Sequence, residues 1–165
     1  DPEFFPEAPT VQRHAIEICE NIRAIPALQV VRDYCWMEEY RDWLRDRGGL
    51  FPARGVDFNP QLLEFLDFGM ADDRSIAGMV WYADRERLGA FYYAFVLNLE
   101  TSVLGGKAAW DDFIKISNLN APVGMDKAWV ASDAFYKAEA MDYIIRSTID
   151  SMILSAACGF LGALC

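Results

Sequence analysis

Residues 151–165 read Ser-Met-Ile-Leu-Ser-Ala-Ala-Cys-Gly-Phe-Leu-Gly-Ala-Leu-Cys and contain no charged side chain. A helix needs about 20 apolar residues to cross a bilayer, so this run is shorter than a complete span. It also lacks the polar cap and the basic last turn with which helices of soluble proteins usually end. We therefore expect residues 134–165 to form a truncated transmembrane helix, preceded by a water-exposed domain.

A buried C-terminal helix of a soluble domain is the alternative, because a run of this length also fits a core helix. The spacing of Ser155, Gly159 and Ala163 favours the membrane, since small residues four positions apart let helix backbones approach closely in lipid. We predict that these three residues pack against another helix within the membrane. Deletion of residues 144–165 would distinguish the alternatives, because only a soluble domain would lose part of its core.

Composition limits the partners of the chain. A net charge of −10 repels polyphosphate, so we expect no binding of nucleic acid. An apolar fraction of 53% excludes a disordered chain. We expect residues 1–8 to be an N-terminal tail, of which residues 1–4 match what two adjacent cloning sites would encode, and residues 9–133 to form the domain.

Hydrophobic periodicity predicts an α+β fold. Helices are expected to begin at Thr10 and at Asp33. A third is expected with Asn59 as its cap and Pro60 at its first position, and a long helix capped by Ser132 or Asp133 follows later. Strands are expected at 28–31, 78–83, 88–99 and 127–131, the second and third forming a hairpin. Helices on one face of a small sheet predict a ferredoxin-like (split βαβ) unit whose first strand lies upstream, with a helical insertion at about 34–70.

The four cysteines fall into two groups. Cys158 and Cys165 lie in the apolar run and are typical of small packing residues. Cys19 and Cys35 lie in a helix and after the strand that follows it, where a disulfide and two free buried thiols remain equally open. One histidine and no Cys-x-x-Cys motif argue against a zinc site, so we expect no metal.

No catalytic arrangement stands out, and we expect neither an enzyme nor a cofactor. Adjacent carboxylates on loops or exposed helices seldom converge on one catalytic site. A Ser-His-Asp triad would lack the Gly-x-Ser-x-Gly nucleophile elbow, and the pattern of a phosphate-binding loop is incomplete. The residues considered for these three roles are Asp72, Asp73, Asp111 and Asp112; His14, Ser132 and Asp133; and Gly105, Gly106 and Lys107.

Four aromatic residues support a second function, that of a soluble module which binds an apolar ligand or a protein partner. They are Trp81, Tyr92, Tyr93 and Trp129. Core packing explains them equally well, because alternate positions of a strand face a core in any case.

Two groups of segments resemble a known family. The first comprises 34–44, Phe51-Pro52, Phe58 and 62–66; the second comprises 110–113, 120–122, 132–135, Glu139 and Ser147-Thr148. In this order, and followed by an apolar helix, they resemble an extracytoplasmic loop of the Patched- and Dispatched-like branch of the resistance-nodulation-division (RND) transporter superfamily. The resemblance covers about 19–165.

The resemblance implies a polytopic membrane protein that moves lipids, sterols or other hydrophobic molecules. It further implies coupling to an ion gradient through acidic residues in membrane helices, ferredoxin-like luminal subdomains and residues before about 144 on the extracellular or luminal side. The expected partners are then the bilayer, through the C-terminal helix, and other transmembrane helices of the parent chain. The ligand-binding residues stay unassigned.

Overall fold

A computed structural model describes residues 4–69, 77–83, 87–98 and 103–164. These residues form a mixed α+β structure of five helices and four short strands. In chain order they are α1 (Pro9–Arg23), β1 (Val30–Tyr34), α2 (Trp36–Asp46), α3 (Gly55–Glu64), β2 (Val80–Tyr82), β3 (Leu88–Phe91), β4 (Ala94–Leu97), α4 (Val103–Asn120) and α5 (Asp133–Leu164).

The described strands form two separate antiparallel pairs. β2 pairs with β3, as the sequence predicts, with Val80 opposite Phe91. β4 does not continue that hairpin; it pairs with β1, which places Tyr34 opposite Ala94. The single strand expected at 88–99 is therefore divided between the two pairs.

Several predicted elements have other bounds in the structure, and one does not form. Leu28 lies buried in a short 3-10 turn, and β1 extends beyond Val31, so Asp33 belongs to the strand and α2 begins at Trp36. No strand forms at 127–131. There the side-chain amide of Asn118 donates to the Ala128 carbonyl (2.9 Å) and accepts from the Ala128 N–H (3.0 Å), so a side chain takes the place of a neighbouring strand.

The start predicted for the third helix is also wrong: α3 begins at Gly55 and contains Pro60 in its interior. A proline there leaves the carbonyl four residues earlier without its helical partner. That carbonyl belongs to Val56, which is 87% exposed, so water can satisfy it. Asn59 caps no helix; its side-chain oxygen accepts a long hydrogen bond from the Leu88 N–H at 3.4 Å.

Two apolar cores hold the elements together. The larger lies among α1, α2, α3 and the β2–β3 hairpin, where the Tyr40 ring packs edge-on against Phe58 with centroids 5.8 Å apart. The smaller joins the end of α1 to α4 and to the first turn of α5 through Ile22, Trp110 and Phe135. The smaller core thus fixes where α5 leaves the domain.

A fully buried glutamine ties α1 to the loop before α3. The Gln12 side chain donates to the carbonyls of Glu7 (3.1 Å) and Ala53 (3.0 Å) and accepts from the Ala53 N–H (2.8 Å). A buried amide is tolerated only when it is hydrogen-bonded, and these three bonds meet that requirement.

Candidate functional site

Within the described part of the chain, the long helix α5 buries a side chain against the domain only in its first turn. Ser132 caps it, as the sequence predicts, because its hydroxyl accepts from the Phe135 N–H (3.4 Å) and its carbonyl from the Tyr136 N–H (3.0 Å). The Phe135 ring is buried and lies 6.2 Å from that of Trp110 in α4. The domain therefore holds the first turn of α5 and directs the rest of the helix outward.

Beyond Asp142 every described side chain of α5 is exposed. Residues Asp133–Leu161 are long and apolar enough to cross a membrane, and none of the most apolar 18-residue stretch is buried. A core helix of a soluble domain has the same composition but lies against its own domain along its apolar part, which residues 143–161 of α5 do not. The exposed large apolar residues of this part are Tyr143, Ile144, Ile145, Ile149, Met152, Ile153, Leu154, Phe160 and Leu161.

The hydroxyl groups near the start of the apolar run are satisfied within the helix. Ser147 and Thr148 donate to the Ile144 carbonyl at 3.0 and 2.8 Å, and Ser151 donates to the Ser147 carbonyl at 2.8 Å. Such bonds remove the cost of an unpaired hydroxyl in a medium without water. These side chains are therefore compatible with lipid as they stand.

Two of the three predicted helix-packing residues, Ser155 and Gly159, lie in this exposed part. Ser155 and Gly159 are exposed, and a Cβ atom added to Gly159 would meet no atom within 4 Å. The side chain of Ala163 lies outside the described residues. Packing of these residues against another helix stays a prediction.

Cys19 and Cys35 form a disulfide, with Cα atoms 6.3 Å apart. Both residues are buried, at 0% and 3% exposure. The bond joins the middle of α1 to the residue before α2 and so links the two helices covalently. Disulfides persist in oxidising compartments, which include the extracellular space and the lumen of the secretory pathway.

An ionic clamp that sequence reasoning missed lies beside the disulfide. The Arg23 guanidinium donates to both carboxylate oxygens of Asp33 (2.8 and 2.9 Å) and to Glu38, with its Nη1 2.9 Å from Oε1. The hydrogen bonds with Asp33, and next those with Glu38, raise the pKa of Arg23 above its ordinary value. The spacing of these residues could have indicated the clamp, because Arg23 follows Cys19 by one helical turn and Glu38 follows Cys35 by three residues. A bond between the two cysteines therefore brings the two charged residues near each other.

Asp33, Cys35 and Glu38 place potential metal-ligand atoms within 4.8 Å of one another. Both carboxylates already hold the Arg23 guanidinium, and the sulfur is bonded to Cys19. A metal requires free carboxylate lone pairs and a thiolate. The arrangement therefore acts as a structural clamp between α1 and α2.

The four aromatic residues of the binding-module hypothesis are in different surroundings. Trp81 and Tyr92 are partly exposed with ring centroids 5.4 Å apart, whereas Tyr93 packs beside Trp36 at 6.2 Å. Burial, and next the Glu38 carboxylate, raises the pKa of Tyr93 well above its ordinary value. Trp129 is 79% exposed in the segment between α4 and α5.

Two surface depressions among the described residues are not lined by these four aromatic residues. One of about 390 Å³ lies between the start of α1 and the segment 120–123. The other, of about 420 Å³, lies between α4 and α5, where Lys107 pairs with Asp111. The hydrogen bond to Asp111 raises the pKa of Lys107. This ion pair engages one carboxylate of the Asp111–Asp112 pair that was considered, and not favoured, for acid–base catalysis.

The remaining residues considered for catalysis have structural surroundings. His14 lies in α1 with its Nδ1 3.7 Å from the Glu17 carboxylate, and Ser132 caps α5. Gly105, Gly106 and Lys107 lie within α4, so they form no phosphate loop. Asp72 and Asp73 lie outside the described residues.

Comparisons with known proteins identify no relative: no family model matches the chain, and no curated protein or solved structure matches it significantly.

Proposed function

We propose that this chain is an extracytoplasmic domain of a polytopic membrane protein, and that α5 carries the chain into the bilayer. The observation that carries the proposal is the complete exposure of the apolar part of α5, residues 143–161. Full burial of one large aliphatic side chain is worth about 1.5–3 kcal/mol. A helix that exposes a row of such side chains is therefore favourable in lipid, whereas their exposure to water is unfavourable.

The charges of α5 support a position for the membrane boundary. Asp150 is its last charged residue, and Arg146 is paired with Asp142 at 2.8 Å. A charge at the centre of a membrane helix costs about 2.5–3.5 kcal/mol, whereas one in the headgroup region costs little. We therefore assign residues 144–150 to the interface and the helix from Ser151 onward to the hydrocarbon core.

The disulfide supports the orientation. Cys19 and Cys35 are joined, and such a bond persists on the extracellular or luminal side of a membrane. We therefore propose that residues before about 144 are extracellular or luminal.

The family assignment rests on the sequence resemblance described above. We propose that the parent is an RND-type transporter or receptor of the Patched and Dispatched branch that moves lipid, sterol or another hydrophobic molecule with the energy of an ion gradient. In that parent the β1–β4 pair belongs to a ferredoxin-like subdomain that further strands complete.

Co-sedimentation with neutral liposomes tests the membrane proposal. The full chain is expected in the lipid pellet, and a Leu154→Lys/Leu161→Lys variant is expected to bind at least about a hundredfold more weakly, because each lysine opposes insertion. A Leu119→Lys/Val123→Lys variant is the matched control, since it makes the same charge change at exposed apolar residues outside α5.

Equal sedimentation of the two variants with lipid would contradict insertion of α5. If the full chain itself stayed in solution, the soluble binding module would be the better account, and the exposed Trp81–Tyr92 pair would be its first site to test.

A further inference from the structure

The ionic clamp and the disulfide join the same two segments of the chain at the same place. Arg23 lies one helical turn after Cys19 in α1, and the carboxylates that it holds flank Cys35 in sequence. The Cys35 sulfur and one oxygen from each carboxylate lie within 4.8 Å of one another. The two connections are therefore close enough for the formation of one to affect the other.

The clamp does not require the covalent bond. The Arg23 guanidinium donates to Asp33 at 2.8 and 2.9 Å and to Glu38 at 2.9 Å, and none of these contacts involves a sulfur atom. Hydrogen bonds between charged groups are about twice as strong as neutral ones. In a chain with reduced cysteines, the same bonds therefore hold α1 beside the residue that precedes α2.

Packing and the clamp restrain the two cysteines from different sides. Cys19 and Cys35 are buried, and near them in sequence Ile16 of α1 and Trp36 of α2 belong to the larger core. The carboxylates of the clamp lie outside that core and are partly exposed. The clamp thus fixes the segments where apolar packing does not.

Charge gives the clamp a second effect on the thiols. The attacking group in disulfide formation is a thiolate, and neighbouring carboxylates disfavour a thiolate. Without the guanidinium, the carboxylates of Asp33 and Glu38 would stand beside the Cys35 sulfur without the cation that both of them bind. Arg23 therefore reduces a repulsion and restrains the geometry at the same time.

We propose that Arg23 is a positioning residue for the Cys19–Cys35 disulfide, so that the clamp and the disulfide form one redox-coupled connection between α1 and α2. The bond forms by exchange with a small disulfide such as oxidised glutathione. One protein thiolate attacks a glutathione sulfur and releases the first glutathione thiolate. The other protein thiolate attacks the protein sulfur of this mixed disulfide and releases the second. Two protein thiols are oxidised, one glutathione disulfide is reduced, and the two thiol protons end on the two glutathione molecules.

The equilibrium constant of this exchange tests the proposal. The full chain with Cys158→Ser and Cys165→Ser is equilibrated in detergent with mixtures of reduced and oxidised glutathione, and the bonded fraction is measured by mass spectrometry after thiol alkylation. Arg23→Gln is expected to lower the constant about tenfold or more, because it removes hydrogen bonds between charged groups. Arg47→Gln is the matched control: it removes an arginine that pairs with Glu64 at the other end of α2, and it should leave the constant unchanged.

Two milder variants keep the test decisive if Arg23→Gln does not fold. Arg23→Lys retains the positive charge but cannot reproduce the planar fork of the guanidinium. Glu38→Gln weakens one side of the clamp and leaves the bonds to Asp33 in place. Each is expected to lower the constant by less than the complete loss of the clamp does, and unchanged constants for both would overturn the proposal.

Linkage provides a second measurement, because a clamp that favours the disulfide must be strengthened by the disulfide by the same factor. Arg23→Gln is therefore expected to lower the free energy of unfolding in urea more in the native chain than in a Cys19→Ala/Cys35→Ala chain. An equal decrease in both chains overturns the proposal, and so does a glutathione constant that Arg47→Gln lowers as much as Arg23→Gln. These outcomes do not depend on α5, so the proposed membrane insertion is tested separately.

Discussion

Loss of the Cys19–Cys35 disulfide is expected to destabilise the domain by about 3 kcal/mol. The bond closes a loop with a sequence separation of 16 residues, and in the chain-entropy treatment a loop of this size restricts the unfolded chain by about that amount. For a chain of this length, about 3 kcal/mol corresponds to a decrease in melting temperature of roughly 6–12 °C. Cys19→Ala/Cys35→Ala is the perturbation, and tryptophan fluorescence during thermal and urea unfolding is the assay.

Controls separate the disulfide from other effects of the substitutions. The Cys158→Ala variant should unfold like the native chain, because Cys158 is free and exposed. A reducing agent should lower the melting temperature of the native chain and leave that of the double variant unchanged. If the double variant and the native chain unfold at the same temperature, the disulfide does not stabilise the domain and the support it gives to an extracytoplasmic location is lost.

Three further results are expected. Gln12→Leu should lower the free energy of unfolding, measured in urea, by about 3 kcal/mol, because it leaves buried backbone groups unpaired. Arg13→Ala, at an exposed position, should change that free energy by less than about 0.5 kcal/mol. Similar values for both variants would contradict the role of the buried amide. Burial, and next the Asp67 carboxylate, raises the pKa of Tyr82 to about 12. The folded state thus favours the neutral phenol of Tyr82. The contribution of this group to the free energy of unfolding is complete below about pH 10 and declines as the pH rises through about 12. Tyr82→Phe should therefore reduce the decrease of the urea midpoint at alkaline pH. A pH profile equal to that of the native chain would argue against this role of Tyr82. Deletion of 144–165 should leave the melting temperature of the domain unchanged, since the described side chains of this segment, those of residues 144–161, are exposed. A large decrease would favour a soluble domain with a C-terminal core helix.

Local patterns predicted the helices better than the strand pairing. Apolar spacing and caps act within one or two turns, so the beginning of α5 after Ser132 was accessible from the sequence. The partner of a strand depends on distant residues, and the sequence did not reveal that Tyr34 pairs with Ala94. The strand expected at 127–131 failed for a similar reason, because a side chain of α4, Asn118, satisfies the Ala128 backbone.

The candidate site shows the same division. Composition predicts the apolar helix, but a buried core helix and a membrane helix share that composition; only the packing of the domain reveals that α5 is uncovered beyond Asp142. The sequence left the pairing of Cys19 with Cys35 open, because it does not give the distance between α1 and the start of α2. The Arg23 clamp was missed because its two carboxylates come from different elements.

The most direct test of the central claim is the accessibility of Cys158 to a membrane-impermeant maleimide. Cys158 is free and exposed in the chain and lies within the part of α5 assigned to the hydrocarbon core. The measurement uses a Cys165→Ser variant, so that Cys165 is not labelled. The proposal predicts rapid labelling in detergent-free denaturant and protection in liposomes, while a cysteine introduced at the exposed Tyr136 stays reactive in both. Equal labelling of Cys158 and the Tyr136→Cys position in liposomes would contradict insertion of α5 into the membrane.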